Sequence, residues 1–312
     1  MLKQQNKQRR LYGWQFFYAV ILSMRPIQWT KNILVYFALF FTIGDVWDPT
    51  GNHDLISSIL KPTWAFIIFS VLSSAVYLFN DILDRDKDRQ HFKKRNRPIP
   101  SGALDHRIAL VFSLLLALCG LIAAFFYNTS FAWICTGYLA VMFSYSVAFK
   151  KVVLLDVFVV SSGFVMRAVS GAIVLGVPVS PWLYVCTGLG ALFICLCKRR
   201  SELSIYEKQA GKQRDTLDKY TKSVLDQFIG IVATATLLTY TLYTFTATNL
   251  PDNQSMMLTI PFVAYGIFRY IYLVYVKKLG ENPEEILIKD VPIIVSLILW
   301  FATVTIVLIS NQ

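Results

Sequence analysis

Nine long apolar runs constrain this chain more than any other feature. They lie at about 26–44, 61–83, 104–126, 131–148, 153–175, 181–198, 223–247, 257–276 and 291–309. Crossing the hydrocarbon core takes about 20 mostly apolar residues in a helix, but only about 9–11 in a barrel strand. Lipid offers a backbone no hydrogen-bond partner, so only helices or closed barrels span it. The runs are too long for strands. The expected fold is therefore an all-α integral membrane protein with about nine transmembrane helices. Of 312 residues, 55% are hydrophobic and only 16% charged, which excludes a disordered chain. The cysteines Cys119, Cys135, Cys186, Cys195 and Cys197 lie inside apolar runs without metal-binding spacing. A disulfide or zinc framework is excluded with them.

The charges between the runs alternate. Lys and Arg gather in the N-terminal segment KQQNKQRR and in 84–107, 149–152, 198–222 and 277–290. The intervening loops and the tail Ser310-Asn311-Gln312 hold only Lys61, while Arg167 and Arg269 fall within spans. The positive-inside rule places the basic loops and the N-terminus in the cytoplasm and the C-terminus outside. It also accounts for the net charge of +11, so no nucleic-acid partner is implied. The stretch 13–24 is apolar and aromatic but lacks a signal-peptidase site, and Arg25-Pro26 follows it. It reads as an interfacial helix, with Pro26 bending the chain into the first span. No linker divides the sequence. It is expected to form one polytopic domain over 1–312, with an interfacial segment at 1–25 and the bundle at 26–309. Polar clusters after the second and sixth spans suggest two related four-helix halves.

The first cluster is Asn80-Asp81-Ile82-Leu83-Asp84-Arg85-Asp86-Lys87-Asp88-Arg89. No Gly or Pro interrupts it, so the second helix is expected to run on through it. Asn80, Asp84 and Asp88 then share a face, with Asp81 beside them. Acids near the hydrocarbon are costly, and clustering them raises the cost. A divalent cation relieves it, and magnesium takes one or two carboxylates together with substrate phosphates. Two readings stand: a Mg²⁺–diphosphate site, or a solvated helix end with ion pairs to Arg85, Lys87 and Arg89. The segment after it, His91 to Gly102, carries Lys93, Lys94, Arg95 and Arg97, which suit phosphate oxygens or simply follow topology.

Two further places carry charge. Asp156 and Arg167 share a face of the fifth span but stand roughly 16 Å apart, too far for a direct pair. Arg167 either holds an anionic substrate group or ties its helix to a neighbouring acid. Arg269 is given a structural role, within snorkelling reach of the membrane surface. The sixth span ends in Lys198-Arg199-Arg200-Ser201-Glu202. Lys198 and Glu202 are expected to face the same way. One acid among three cations suits a phosphorylated substrate better than a second metal. No Gly-rich phosphate loop, Ser/His/Asp set or Cys/His pair is present.

Nine spans with N-D-x-x-D-x-x-x-D after the second resemble the UbiA superfamily of intramembrane prenyltransferases. Asn80, Asp81, Asp84 and Asp88 match its first Asp-rich motif position by position. Within it, the chain is most similar to the branch that moves phosphoribosyl groups onto decaprenyl phosphate. The similarity runs through Leu22–Asn32, Tyr77–Gly102, Tyr145-Ser146, Leu155-Asp156, Ser162–Ala168 and Lys198–Leu203.

The resemblance implies a UbiA-like bundle in the cell's inner membrane with a cytoplasm-facing active site. It implies transfer of the 5-phosphoribosyl group from 5-phosphoribosyl 1-diphosphate to a polyprenyl phosphate, a step of cell-wall biosynthesis, with a homo-oligomer compatible. Asn80, Asp81, Asp84 and Asp88 would hold Mg²⁺. Asp84, Asp88, Asp156 and Glu202 would be catalytic. Lys31, Asn80, Lys93, Arg95, Arg97, Tyr145, Lys150, Arg167, Lys198 and Arg199 would bind substrate. Superfamily members that use a prenyl diphosphate usually carry a second D-x-x-x-D motif where this chain has Lys198 to Glu202. That departure disfavours prenyl transfer to an aromatic acceptor. A transporter is disfavoured because nearly all the polar groups lie at one membrane surface.

Overall fold

The computed structural model describes residues 13–43, 46–47, 55–206, 217–248 and 250–310. The N-terminal basic segment and parts of the loops around 45–54 and 207–216 lie outside the described residues. The helices are α1 (Trp14–Met24), α2 (Phe37–Phe41), α3 (Leu55–Leu83), α4 (Arg85–Gln90), α5 (Pro98–Ser101), α6 (His106–Tyr127) and α7 (Thr129–Val147). They continue with α8 (Leu155–Leu175), α9 (Pro181–Tyr206), α10 (Lys222–Thr246), α11 (Ile260–Tyr275), α12 (Pro283–Lys289) and α13 (Val291–Ser310). Eight helices among the described residues are long and apolar enough to cross a membrane. The chain is a multi-pass membrane protein.

Helix boundaries follow local chemistry. The side chains of Asp105, Asn128 and Thr221 accept from backbone N–H groups at the starts of α6, α7 and α10, a contribution of about 1 kcal/mol each. Gly176 ends α8 with φ 76°, a conformation that glycine adopts without strain.

The first expected span departs from expectation. Pro26–Tyr36 is a 3₁₀ helix, followed only by the five residues of α2. Polar side chains here are spent on α3: Trp29 Nε1 donates to Ser74 Oγ and Asn32 Nδ2 to Ser70 Oγ, each at 3.0 Å. At about 2 Å per residue in a 3₁₀ helix, and about 1.5 Å in α2, the segment still reaches about 30 Å. That matches the hydrocarbon thickness.

The chain groups into two compact units. Among the described residues, one holds those up to Asn32 with Phe66–Phe149, the other those of Ile33–Ala65 and from Lys150 onward. They are not the two four-helix halves suggested by the spacing of the polar clusters, because the second unit takes α8 to α13. In the first unit, Phe69 packs edge-on to Phe131 and Tyr138. In the second, Leu196, Leu225, Ile229, Leu273 and Val274 build a buried core.

Backbone packs closely at two glycines of the second unit. Beside Gly171 of α8 lies the Val35 carbonyl, and beside Gly280 lies Ser201 of α9. A Cβ on Gly280 would sit 2.9 Å from Ser201 Cβ and closer still to Oγ. Gly280→Ala is expected to lower stability by about 1–3 kcal/mol, and Ser201→Gly to restore most of it. Thermal unfolding of both variants and their double in detergent checks this.

Candidate active site: two charged clusters

The first cluster sits where α3 ends. The helix does not run on unbroken, as expected from the sequence. It turns at Asp84 (φ −90°, ψ 2°) and restarts as α4. The cause is local, since Asp84 takes the sparsely populated bridge conformation. Backbone bonds from Asp84 N–H to Asn80 O (2.9 Å) and from Asp88 N–H to Asp84 O (2.8 Å) preserve the four-residue spacing across the turn.

Burial separates the acids. Asp86 is exposed and pairs with Arg85 and Arg89, so the solvated-end reading holds for it. Asp81 and Asp88 are buried, at 1% and 6% exposure. Arg97 Nη1 lies 3.3 Å from Asp81 Oδ1 and 2.7 Å from Asp88 Oδ2, so both carboxylates converge on one cation. Arg25 Nη2 also pairs with Asp81 Oδ1, and its guanidinium lies over the Tyr77 ring. Burial, then the nearby Arg25, pulls the Arg97 pKa below its ordinary value, while Asp81 and Asp88 oppose that.

Sequence reasoning did not single out Arg25 as a site residue. A lone cation between an apolar run and Pro26 was its signal. It caps α1 in the left-handed region, φ 54°. Arg89 Nε donates to Pro100 O at 2.9 Å, tying α4 to the turn after the basic run. Lys93 and Arg95 are exposed, with the Arg95 guanidinium over Phe92. Lys31 and Tyr145 are half-buried on the 3₁₀ segment and on α7.

All the donors here are oxygens of Asn and Asp, which suit a hard cation. Buried Asp81 and Asp88 already share one positive partner. The set therefore fits a magnesium ion chemically. Among the described residues no three His, Cys, Asp or Glu side chains form a ready-made metal cage. Magnesium sites commonly draw part of their shell from water and substrate phosphate.

The second cluster joins α8, α9 and the segment before α10. Arg199 Nε donates to Asp156 Oδ2 at 2.7 Å, and its Nη1 pairs with Glu202. Tyr220 Oη donates to Asp156 Oδ1 at 2.8 Å and accepts from Leu154 N–H at 2.8 Å. Asp156 is fully buried and Arg199 nearly so. Tyr220 lies outside the spans, and burial pushes its hydroxyl up to about 12, so it stays a donor. Glu202, which the spacing faces the same way as Lys198, pairs with Arg199, three residues away on α9. Asp156 supplies this cluster with a second acid, from a different helix. Lys150 lies in the 3₁₀ turn before α8, and Lys198 in α9.

Arg167 is not drawn to Asp156. It is buried in α8, where Nη1 donates to Gly163 O at 2.6 Å and the guanidinium lies over Phe164. Arg269 has the structural role expected of it. It pairs through two nitrogens with Asp290, at 2.9 and 3.2 Å, just before α13.

The described residues thus form a helical membrane protein with an acid–arginine cluster where α3 ends. The chain belongs to the UbiA prenyltransferase family, whose model matches residues 35–285. It is similar to the decaprenyl-phosphate phosphoribosyltransferase of Mycobacterium tuberculosis, 32% identical over 286 residues, covering 92% of this chain and 93% of that one. It is equally similar to the enzyme of that name from Mycolicibacterium smegmatis, 32% identical over 296 residues, covering 92% and 91%. Among solved structures, a UbiA homolog from Archaeoglobus fulgidus bound to GPP and Mg²⁺ has the same fold. The TM-score is 0.69 at 19% identity, covering 93% of this chain and 99% of that one.

Proposed function

We propose that this protein transfers the 5-phosphoribosyl group from 5-phosphoribosyl 1-diphosphate to a polyprenyl phosphate and releases diphosphate. The observation that carries the reading is the second cluster, where buried Asp156 and half-buried Glu202 meet one arginine. A second acidic motif on α9, suited to a metal-bound prenyl diphosphate, is replaced there by Lys198-Arg199-Arg200 with Glu202. The 32% identity to enzymes of that name over nearly the whole chain supports the same reading.

In the reaction, the ribose C1–O bond to diphosphate breaks and diphosphate leaves with the electron pair. A lipid phosphate oxygen forms the new bond at C1. That oxygen is already anionic, so no general base is needed. Asn80, Asp81, Asp84 and Asp88 would hold Mg²⁺, which as a Lewis acid stabilises charge on the leaving diphosphate. Arg25 and Arg97 hold Asp81 in place, and Arg97 holds Asp88. Lys31, Lys93 and Arg95 bind the phosphates of the sugar donor. Lys150, Lys198 and Arg199 receive the lipid phosphate. Asp156 and Glu202 hold that arginine and orient the ribose hydroxyls. Tyr145 and Arg167 are further substrate-binding residues. The chain acts as one functional domain in the cell membrane with these groups on the cytoplasmic side, and Pro26–Phe41 supplies a ninth crossing.

The test uses purified protein in nanodiscs with radiolabelled C50 or C55 polyprenyl phosphate, 5-phosphoribosyl 1-diphosphate and Mg²⁺. A new, more polar lipid is expected on thin-layer chromatography. It should be lost at least 100-fold with Asp84→Asn and without divalent metal. Prenylation of 4-hydroxybenzoate from a prenyl diphosphate, with no phosphoribosyl lipid formed, would overturn the proposal in favour of aromatic prenyl transfer.

A further inference from the structure

Tyr220 lies outside every motif of the sequence, yet its hydroxyl makes two contacts at the second cluster. It donates to Asp156 Oδ1 and accepts from Leu154 N–H, each at 2.8 Å. Arg199 Nε holds the other oxygen of the same carboxylate. Asp156 is thus gripped at both oxygens by groups from two segments far apart in sequence. A carboxylate held at one oxygen still rotates about its terminal torsion, which is broad and two-fold. Held at both, it has one orientation and passes it on to the guanidinium. Arg199 in turn meets Glu202, so the order Tyr220–Asp156–Arg199–Glu202 is continuous.

The second contact is as informative. Leu154 has φ 67° and ψ −45°, a conformation rare for a non-glycine residue. Such strain survives only where its surroundings over-determine it, and it gathers at functional sites. Tyr220 Oη caps the N–H of that residue, which immediately precedes α8. Tyr220 is itself buried, in the core cluster that also holds Val157 and Leu225, so the hydroxyl is carried by a packed side chain.

We infer that Tyr220 is a positioning residue for transfer: it sets the orientation of Asp156, and through it that of Arg199 and Glu202, toward the acceptor phosphate. The inference rests on the phosphoribosyl-transfer reading. Tyr220 does not touch the reacting atoms. Its loss leaves the cluster present but misaligned, which lowers turnover more than it lowers affinity for the sugar donor.

The experiment is a double-mutant cycle on the full-length protein in nanodiscs, with Tyr220→Phe, Asp156→Asn and the pair. Phenylalanine keeps the ring and its packing. In the wild-type background Tyr220→Phe is expected to lower kcat tenfold or more, with KM for 5-phosphoribosyl 1-diphosphate changed less than threefold. In the Asp156→Asn background the same change is expected to cost less than twofold, because the group it acts through is gone. Equal losses in both backgrounds would overturn the role. So would a kcat loss that Leu154→Gly restores, since the hydroxyl would then act through the backbone alone. A fall in unfolding temperature that accounts for the lost activity would also overturn it. A wild-type protein that makes no phosphoribosyl lipid overturns the functional reading and this role together. Wild-type turnover with additive losses removes only the role of Tyr220.

Discussion

Asp81→Asn is expected to abolish transfer, by at least about 1,000-fold, and to destabilise the protein at the same time. The carboxylate is 1% exposed and is shared by Arg25 and Arg97. Removing one member of a buried ion pair typically costs about 3–5 kcal/mol, because the remaining charge stays buried without compensation. Arg25 and Arg97 keep 23% and 30% of their side-chain surface. Solvent therefore screens part of the loss, and the low end of that range is expected. Asp84 is half-buried at the turn between α3 and α4. Asp84→Asn should also abolish transfer while leaving the unfolding temperature within about 2 °C. Turnover and thermal unfolding of the two variants in nanodiscs separate the residue that both builds and runs the cluster from the one that only runs it. An Asp81→Asn protein with activity within threefold of wild type would exclude this cluster from the active site.

Gly171→Ala is expected to have the largest effect on folding of any single methyl addition in the second unit. The new Cβ would lie 2.9 Å from the Val35 carbonyl carbon and closer still to its oxygen. A side chain in that position could rotate away, but a backbone carbonyl cannot. Either α8 or the 3₁₀ segment must move. Overpacking costs about 1–3 kcal/mol where side chains can adjust, and the upper end or beyond is expected here. Gly190→Ala on α9 is the control, because a Cβ there meets nothing within 4 Å. It should be neutral or slightly stabilising, since alanine is favoured over glycine in a helix by up to about 1 kcal/mol. Size-exclusion profiles and unfolding temperatures of the two variants give the comparison. A Gly171→Ala protein as stable as wild type would mean that the segment does not seat on α8 at this point.

The membrane architecture was legible in the sequence because lipid imposes one rule on every residue of a span: the backbone must bond to itself and the side chains must be apolar. Eight of the nine runs answer it as long helices. The exception is instructive. Residues 26–41 have the apolarity of a span, but Trp29 and Asn32 bond to serines of α3 and Val35 lies against Gly171. These contacts are made across elements, and periodicity carries no trace of them. The acidic motif was legible for a similar reason, since buried acids at a membrane boundary demand a counter-charge. Which charge answers was not. Arg25 lies 56 residues from Asp81 along the chain, and Tyr220 lies 64 residues from Asp156. On α9 Arg199 meets Glu202, and Asp156 on α8 holds the same guanidinium, a partner that spacing along one helix does not show. The sequence by itself determined which residues are too costly to bury alone. Only the tertiary structure decided their partners, because electrostatic compensation depends on distance through space and helix packing sets that distance.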